Sequence, residues 1–255
     1  MNLPKTTPSD NPLTAWAQLV CRSRFEDLSP LAVAKAKVFL MDTLACGVAG
    51  RTGPHAHELA LAAQQWGQGH EAVVWGSDLR APAAQAAVIN GYRIHALEWD
   101  CVHEPAVVHP MAALLPALFA FSERSAAAGR PVSGQQFLLA MTMGVEIAAT
   151  LGAASKSVMR FFRPATCGGF GVVAGLGVLA CLDEATVMNA FGIQYGQTSG
   201  TMQAHVEGSM LLGLQVGFNG RAGLISVDLA MAGMTGPQDK SFVAEVEKQL
   251  NVKLP

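Results

Sequence analysis

The densest group of side chains capable of chemistry lies in residues 95–109, HALEWDCVHEPAVVH. This segment holds three of the seven histidines and three carboxylates, namely His95, His103, His109, Glu98, Asp100 and Glu104. Histidine titrates near neutral pH, and an adjacent carboxylate can fix its tautomer or raise its pKa. The residue types therefore indicate proton transfer. We expect His109 or His103 to move the proton, while Asp100 and Glu98 orient that imidazole.

The expected geometry of this segment is a helix end, a turn and a second helix start. If the first helix continues to about Glu104, side chains at i, i+3 and i+4 spacing share one of its sides. Those side chains are His95, Glu98, Trp99 and His103. Pro105 should interrupt that helix, and His109 then precedes a new helix with Pro110 at its first position.

Two other interpretations fit the same residues. A histidine and a glutamate at i, i+3 spacing can share a metal ion. A second pair of ligands is not evident elsewhere in the sequence, so no metal site is predicted. The polar groups can also form a helix-end hydrogen-bond network around satisfied core histidines, and the spacing alone leaves this open.

Two further polar segments are candidates for substrate binding. In FFRPATCGGFG, residues 161–171, the Arg163 side chain and the amides of a helix N-terminus could bind a carboxylate. The predicted binding residues there are Arg163, Thr166, Gly168 and Gly169. Cys167 is either a reactive thiolate at that helix start or an inert buried thiol. Residues 197–213, with His205, are either a loop that folds over the site or a solvated connection.

The composition restricts the class of protein that must position these segments. Of the 255 residues, 51% are hydrophobic and 14% charged, which excludes a polar disordered chain. A net charge of −2 argues against nucleic-acid binding. The apolar stretch at 168–182 is too short to span a bilayer, so no membrane segment is predicted. The polar N-terminus and five cysteines without a CxxC pair favour a cytoplasmic location.

The hydrophobic periodicity is helical along most of the chain. Helices are predicted at residues 14–22, 30–50, 54–66, 82–96, 110–127, 133–151, 169–182, 184–198 and 217–232, with one short strand at 71–76. Ser29 is the expected N-cap of the second helix, with Pro30 at its first position. The mixed apolar spacing of that helix predicts an interior position. Many glycines fall inside helical patterns, where each costs about 0.5–1 kcal/mol relative to alanine, so close helix packing is expected. The predicted fold is an all-α multi-helix bundle with Ala/Gly-rich packing.

Seven segments carry a resemblance to a known family. They are MDTLACGVAG at 41–50, NGYRIHALEWD at 90–100, HPMAALLPALFAFSE at 109–123, GVEIAATLGAA at 144–154, GGFGVVAG at 168–175, AFGIQYGQTSG at 190–200 and LAMAGMTGP at 229–237. In this order they resemble the MmgE/PrpD family, which includes 2-methylcitrate dehydratase, cis-aconitate decarboxylase and iminodisuccinate epimerase. Family members act on small di- and tricarboxylates by removing or adding a proton next to a carboxylate.

The resemblance implies a domain organisation. Residues 13–237 correspond to the helical domain of the family, which dimerises, so a homodimer is expected. A mixed α/β lid domain normally follows the TGP element, and it is expected to be absent here. We expect residues 1–12 to form a disordered or extended tail and residues 238–255 a charged tail or surface helix.

The departures from the family pattern affect the implied function. Glu98 and Cys101 stand where the family has acidic residues, and Arg163 begins an Arg-Pro-Ala run where the family has His-Pro-Thr. The family's lysine and histidine before the last helix align with Leu212 and Gln215. The resemblance favours a diverged lyase for a small polycarboxylate, 2-methylcitrate dehydratase-like or cis-aconitate decarboxylase-like, that works without a cofactor. Two alternatives are an inactive relic or helical subunit that needs a separate lid chain, and an isomerase or epimerase of a small dicarboxylate.

Overall fold

Regular structure in this chain is almost entirely helical. The computed structural model describes residues 11–155, 161–238, 244 and 247–248, and that part of the chain contains ten α-helices. They are α1 (Pro12–Arg22), α2 (Pro30–Ala49), α3 (Ala56–Ala63), α4 (Ala83–His95), α5 (Pro110–Ala127), α6 (Gly134–Ala153), α7 (Arg163–Leu179), α8 (Glu184–Gln197), α9 (Gln203–Val206) and α10 (Leu211–Met231). Strands β1 (Ala72–Val73) and β2 (Arg80–Ala81) pair antiparallel as a small ribbon. The predicted all-α class is confirmed.

Side-chain caps explain where several helices begin. The Ser29 hydroxyl accepts a hydrogen bond from the third residue of α2, and Pro30 occupies the first helical position, as predicted. Ser133 and Asp183 cap α6 and α8 in the same way. The predicted helix at 110–127 matches α5 at both ends. The predicted terminal tails, residues 1–12 and 238–255, lie for the most part outside the described residues.

Three expectations about individual helices are wrong. Helix α10 begins at Leu211, six residues before its predicted start. Helix α7 begins at Arg163, well before the predicted start at Gly169, because Pro164 fits the first turn and the following glycines are helical. Helix α2 is not an interior helix. One of its sides packs on α4, whereas Leu31, Val38 and other apolar side chains on its outer side are exposed.

Helix α7 lies at the centre of the bundle. Its residues from Pro164 to Leu179 are all buried, and it contacts α5, α6, α8 and α10. Glycines allow its backbone to approach that of α6, because a Cβ on Gly171 would lie only 2.6 Å from the carbonyl oxygen of Gly144. Helices α4 and α10 meet in the same way, where a Cβ on Gly91 would lie 2.8 Å from the Cα of Gly217. The predicted glycine-rich packing is present at both contacts.

Helix α6 is long and apolar enough to cross a membrane by length and composition alone. It is the one helix among the described residues that meets this criterion, and 56% of its most apolar window is buried inside the bundle. Its main packing partner is the central helix α7. A buried core helix has the same composition, so the burial accounts for the apolar character of α6.

The packing of α4, α5, α7 and α10 brings several chain segments to one end of the bundle. Helix α10 packs against α4, α5 and α7. The Arg124 guanidinium holds α5 to α10 by donating from both terminal nitrogens to the Asp228 carboxylate, at 2.8 and 2.6 Å. The C-terminus of α4 and the N-termini of α5 and α7 consequently surround a common cavity, described next.

Candidate active site

A tight reversal of the chain between α4 and α5 assembles the centre of the site. Helix α4 ends at His95, and Glu98 adopts a left-handed conformation with φ 53° that turns the chain back. The expected continuation of the helix to Glu104 is therefore wrong. His103 and Val108 then form an isolated antiparallel bridge, which returns the chain to the start of α5 directly after His109.

The reversal places Asp100 between two imidazoles. Nδ1 of His95 lies 3.0 Å from Oδ1 of Asp100 and 3.2 Å from Oδ2. Nδ1 of His109 lies 3.2 Å from Oδ2 of the same carboxylate. The two rings are 4.7 Å apart, edge to face. An ionised carboxylate only accepts hydrogen bonds, so both Nδ1 atoms carry a hydrogen and both Nε2 atoms are left to act as acceptors when the rings are neutral.

Burial distinguishes the three members of this cluster. The Asp100 side chain is fully buried, that of His95 is nearly so, and that of His109 is 23% exposed. His109 is therefore the member best placed to meet a ligand, while Asp100 and His95 form its buried support.

The environment shifts two of these groups towards their charged forms. Burial opposes the ionisation of Asp100, but the hydrogen bonds from His109 and His95 hold its pKa below the ordinary value. Burial would likewise lower the pKa of His109, but the hydrogen bond and the charge of Asp100 raise it above the ordinary value, and the Glu98 charge adds to that effect. A carboxylate beside an imidazole that takes up a proton readily is suited to acid–base chemistry.

A cavity of about 290 Å³ opens beside His109. Its lining residues are His95, Glu98, Val107, His109, Phe161, Phe162, Arg163, Pro164, Met202, His205 and Leu212. Arg163 is the first residue of α7, and its Nη1 donates to the carbonyl oxygen of Ala106 at 3.4 Å. The cavity thus combines an imidazole that can exchange protons with a guanidinium that can pair with a carboxylate.

Four of the predicted site residues line this cavity. They are Glu98, His109, Arg163 and His205, with Asp100 directly behind His109. Glu98 and His205 are exposed at its edge. The segment around His205 forms the short helix α9, and Met202 and His205 contribute to the cavity lining.

His103 lies elsewhere. It is exposed, its backbone pairs with Val108, and its Nδ1 accepts a hydrogen bond from the Ala106 amide at 3.3 Å. It lines a different, mostly apolar cavity together with Lys35 and Phe39. His103 is separated from the cluster because α4 already ends at His95. The two histidines therefore do not share one side of a helix.

Thr166, Gly168 and Gly169 are also outside the cavity lining. They lie beyond the first residues of α7, so their amides belong to the helix and are not open to an anion. The Thr166 hydroxyl donates to the Ser199 carbonyl oxygen, and a Cβ on Gly168 would lie 2.8 Å from the Ala113 side chain. Burial raises the pKa of the neighbouring Cys167 thiol to about 12, which favours the inert interpretation of this cysteine.

His95 belongs to the site although the sequence does not predict it there. The helical pattern predicts only that it shares a side with Glu98, Trp99 and His103, whereas the structure places its ring against Asp100 at the last turn of α4. Leu212 lines the cavity, and Gln215 is buried outside the lining, where it accepts from the Thr201 amide at 2.8 Å. Leu212 therefore presents an apolar side chain to the cavity itself.

The same cluster has the composition of a metal site. One ligand-type atom from each of His95, Asp100 and His109 lies within 4.8 Å of the others. In the structure both Nδ1 atoms lie at hydrogen-bonding distance from the Asp100 oxygens, 3.0 Å for His95 and 3.2 Å for His109. The observed arrangement is that of a hydrogen-bonded triad.

Comparison with known proteins identifies the family to which the chain belongs. The family model for the MmgE/PrpD N-terminal domain matches residues 14–244. The cis-aconitate decarboxylase-like protein oryM of Aspergillus oryzae is 31% identical over 92% of this chain and 50% of its own length. The cis-aconitate decarboxylases of Aspergillus terreus and Homo sapiens are 30% and 28% identical, over 85% and 82% of this chain and 46% and 44% of their own lengths. The chain spans about half the length of these curated relatives, and it belongs to the MmgE/PrpD family.

Proposed function

We propose that this chain contributes the proton-transfer site of a lyase that acts on a small di- or tricarboxylate, with cis-aconitate as the first substrate to test. The observation that carries the proposal is the Asp100 carboxylate buried between two imidazoles, with His109 open to a cavity that Arg163 also lines. The cis-aconitate decarboxylases among the relatives support the choice of substrate class.

His109 is the proposed proton carrier. Its Nδ1–H donates to Asp100, so Nε2 is the nitrogen that can take or give a proton on the cavity side. Asp100 stabilises the imidazolium that forms when Nε2 is protonated, and His95 holds Asp100 from the other side. In a decarboxylation, the bond from carbon to the departing carboxylate breaks, CO₂ leaves, and the electron pair left on the substrate carbon skeleton is neutralised by the proton from His109.

Arg163 is the proposed anchor for a second substrate carboxylate. A guanidinium binds a carboxylate through two parallel hydrogen bonds, which fixes the substrate in one orientation. His205, which also lines the cavity, can add a further hydrogen bond. Glu98 repels an anionic substrate, so its proposed role is to support the charged form of His109. Thr166, Gly168 and Gly169 are assigned to packing.

The proposal is tested by turnover and by deuterium incorporation next to the carboxylate in D₂O, with cis-aconitate, citrate and 2-methylcitrate as substrates. His109→Ala is expected to reduce turnover by about 10²–10⁴-fold, since that is the usual contribution of a positioned acid or base. Arg163→Ala is expected to raise KM. His57→Ala, which removes an exposed histidine on α3, is the matched control and should leave turnover unchanged. Full activity in both site variants would overturn the assignment.

A second candidate function is a helical subunit that is active only with a separate covering chain. The specific observation is Leu212, an apolar side chain in the cavity at the position aligned with the family's lysine. On this proposal the chain alone is inactive with every substrate above, and activity returns when the unmatched half of a cis-aconitate decarboxylase relative is added. Activity of the chain alone would refute it. Product identification separates a lyase from an epimerase or isomerase, because only a lyase releases CO₂ or water.

A further inference from the structure

Arg93 is a buried arginine on α4 that pairs with no carboxylate of the described residues. It is only 4% exposed, and none of the salt bridges in the described chain includes it. Its Nη1 donates to the Trp75 carbonyl oxygen, whereas Nε is enclosed without an acceptor. A buried charge is costly unless an opposite charge and hydrogen bonds compensate it, so this guanidinium calls for a counter-ion.

The unbonded side of the Arg93 guanidinium has the shape that binds an oxyanion. A guanidinium carries five N–H donors in a rigid planar fork, and the hydrogens of Nε and Nη2 on one side point in parallel. In the described chain the hydrogen bond of this side chain is made by Nη1, so the side formed by Nε and Nη2 is free. Two parallel donors fit two oxygens of a phosphate or a carboxylate.

A second arginine lies beside the first. Arg51 follows the C-terminus of α2 and is exposed, and a Cβ on Gly76 would lie 3.1 Å from its Cδ. Gly76 comes directly after Trp75, whose carbonyl oxygen Arg93 contacts. Burial lowers the pKa of Arg93, and the like charge of Arg51 lowers it further. Both arginines therefore approach the same turn, where their positive charges repel each other.

The surrounding protein does not balance these two charges. Arg51, like Arg93, belongs to no salt bridge of the described chain, and neither does Asp78, an exposed acid two residues after Gly76. The C-terminus of α2 contributes only about half an elementary negative charge. An anion with two negative charges would compensate both guanidinium groups.

Attachment of the turn to α4 does not account for Arg93. Asn90, one helical turn earlier, accepts a hydrogen bond from the Trp75 amide at 3.0 Å and donates to the Val73 carbonyl oxygen at 2.9 Å. Two uncharged hydrogen bonds thus already hold the segment after β1 against α4. The charge of Arg93 is not needed for that purpose.

We propose that Arg93 and Arg51 bind a phosphate group at a site separate from the candidate active site. Phosphate is compact, carries up to two negative charges and offers oxygens to both arginines. Arg93 would hold two oxygens through Nε and Nη2, and the exposed Arg51 would cover the ion from the solvent side. Residues two apart on a helix do not face each other, so Arg93 points to Trp75 while His95 points to Asp100.

The test is titration calorimetry of the full 255-residue chain with inorganic phosphate at about pH 8, in chloride at constant ionic strength. We expect one saturable site. Arg93→Lys keeps the charge but removes the fork, and should weaken binding about 10–100-fold, the factor for a lost hydrogen bond to a charged group. Arg51→Gln should weaken binding about two- to fivefold, since this side chain is exposed. The matched control Arg130→Gln removes an exposed arginine elsewhere and should bind normally.

Two comparisons locate the site and its ligand. Arg163→Ala should bind phosphate normally, because Arg163 lines the other cavity. Tighter binding of glycerol 3-phosphate than of inorganic phosphate would identify a phosphate ester as the source of the group, and tighter binding of inorganic phosphate would identify the free ion. Acetate that binds as tightly as phosphate would contradict the preference for two negative charges.

Several results would overturn the proposal. They are the absence of saturable binding, a loss of binding in Arg163→Ala, and unchanged binding in a folded Arg93→Lys. Circular dichroism checks the fold of each variant. If Arg93→Lys does not fold, Arg51→Gln decides the matter, because an exposed side chain can be replaced without disturbing the core. None of these measurements depends on turnover, so the phosphate site and the proposed function are tested separately.

Discussion

Replacing Asp100 by asparagine tests the central cluster most directly. Asp100→Asn keeps the size of the side chain but removes the charge that both imidazoles share. The amide offers one oxygen, so one Nδ1–H keeps its acceptor while the other faces an NH₂ group that can only donate. The substitution is therefore expected to leave one buried donor unpaired.

The size of the stability change follows from the hydrogen bonds that are lost. A hydrogen bond to a charged group contributes about 1.5–3 kcal/mol, and one of two is removed here, so we expect destabilisation of about 1.5–3 kcal/mol. Turnover should fall by about 10²–10⁴-fold, because His109 loses both its fixed tautomer and the carboxylate that stabilises its cation. The pH at which His109 titrates should move downwards.

The pH dependence of the stability gives a sharper test. The lowered pKa of Asp100 contributes stability that is present above its ordinary value of 3.8 and is lost as the pH falls through its folded value. The raised pKa of His109 contributes stability that is complete below its ordinary value of 6.5 and is lost as the pH rises through its folded value. Both contributions are therefore complete together only between pH 3.8, the ordinary pKa of Asp100, and pH 6.5, the ordinary pKa of His109.

Chemical denaturation of the unmodified chain and of Asp100→Asn should thus differ more at about pH 5.5 than at about pH 8.5. Asp78→Asn, which neutralises an exposed aspartate, is the control and should show no such pH-dependent difference. An equal or larger loss of stability at the higher pH would refute the assignment of a charged pair to Asp100 and His109.

Three other variants or measurements test different parts of the structure. Leu212→Lys places an ammonium group in the cavity and should tighten the binding of a tricarboxylate at least several-fold, as titration calorimetry can measure; unchanged binding would place Leu212 outside the substrate's reach. Gly217→Ala should destabilise the chain by about 1–3 kcal/mol in thermal unfolding, because the new Cβ would overlap the α4 backbone, whereas Gly134→Ala, at an open position, should be neutral or stabilising. In the native chain the buried Cys167 should resist thiol reagents until the protein unfolds, while the exposed Cys181 reacts; rapid modification of Cys167 would contradict its burial and raised pKa.

The helices were predictable where their ends have strong local causes. Ser29 followed by Pro30 is a cap and a first-turn proline, and Pro110 starts α5 for the same reason. The start of α7 was not predictable from such signals, because Gly168 and Gly169 resemble a helix boundary in the sequence but serve close packing inside the helix. Local patterns cannot distinguish these two uses of glycine, since the neighbour that decides between them is distant in the chain.

The site was predictable in composition but not in pairing. Asp100 and His109 were selected together, and the structure brings them together. Helical spacing predicts that His95 and His103 share one side, and of the two only His103 is predicted to move a proton. The left-handed residue that ends this arrangement is Glu98, which carries none of the glycine or asparagine signal that usually marks such a turn. Because the chain turns back at Glu98, His95 contacts Asp100 and His103 does not.

The short chain separation of the central cluster has a consequence for how the protein folds. His95 lies five residues and His109 nine residues from Asp100, whereas Arg163 is 57 residues from the carbonyl it contacts. Contacts between near neighbours close small loops and form early, while distant segments must wait for larger loops to close. The acid–base half of the cavity can therefore be in place during folding before α7 delivers its arginine, and the pocket as a whole matures last.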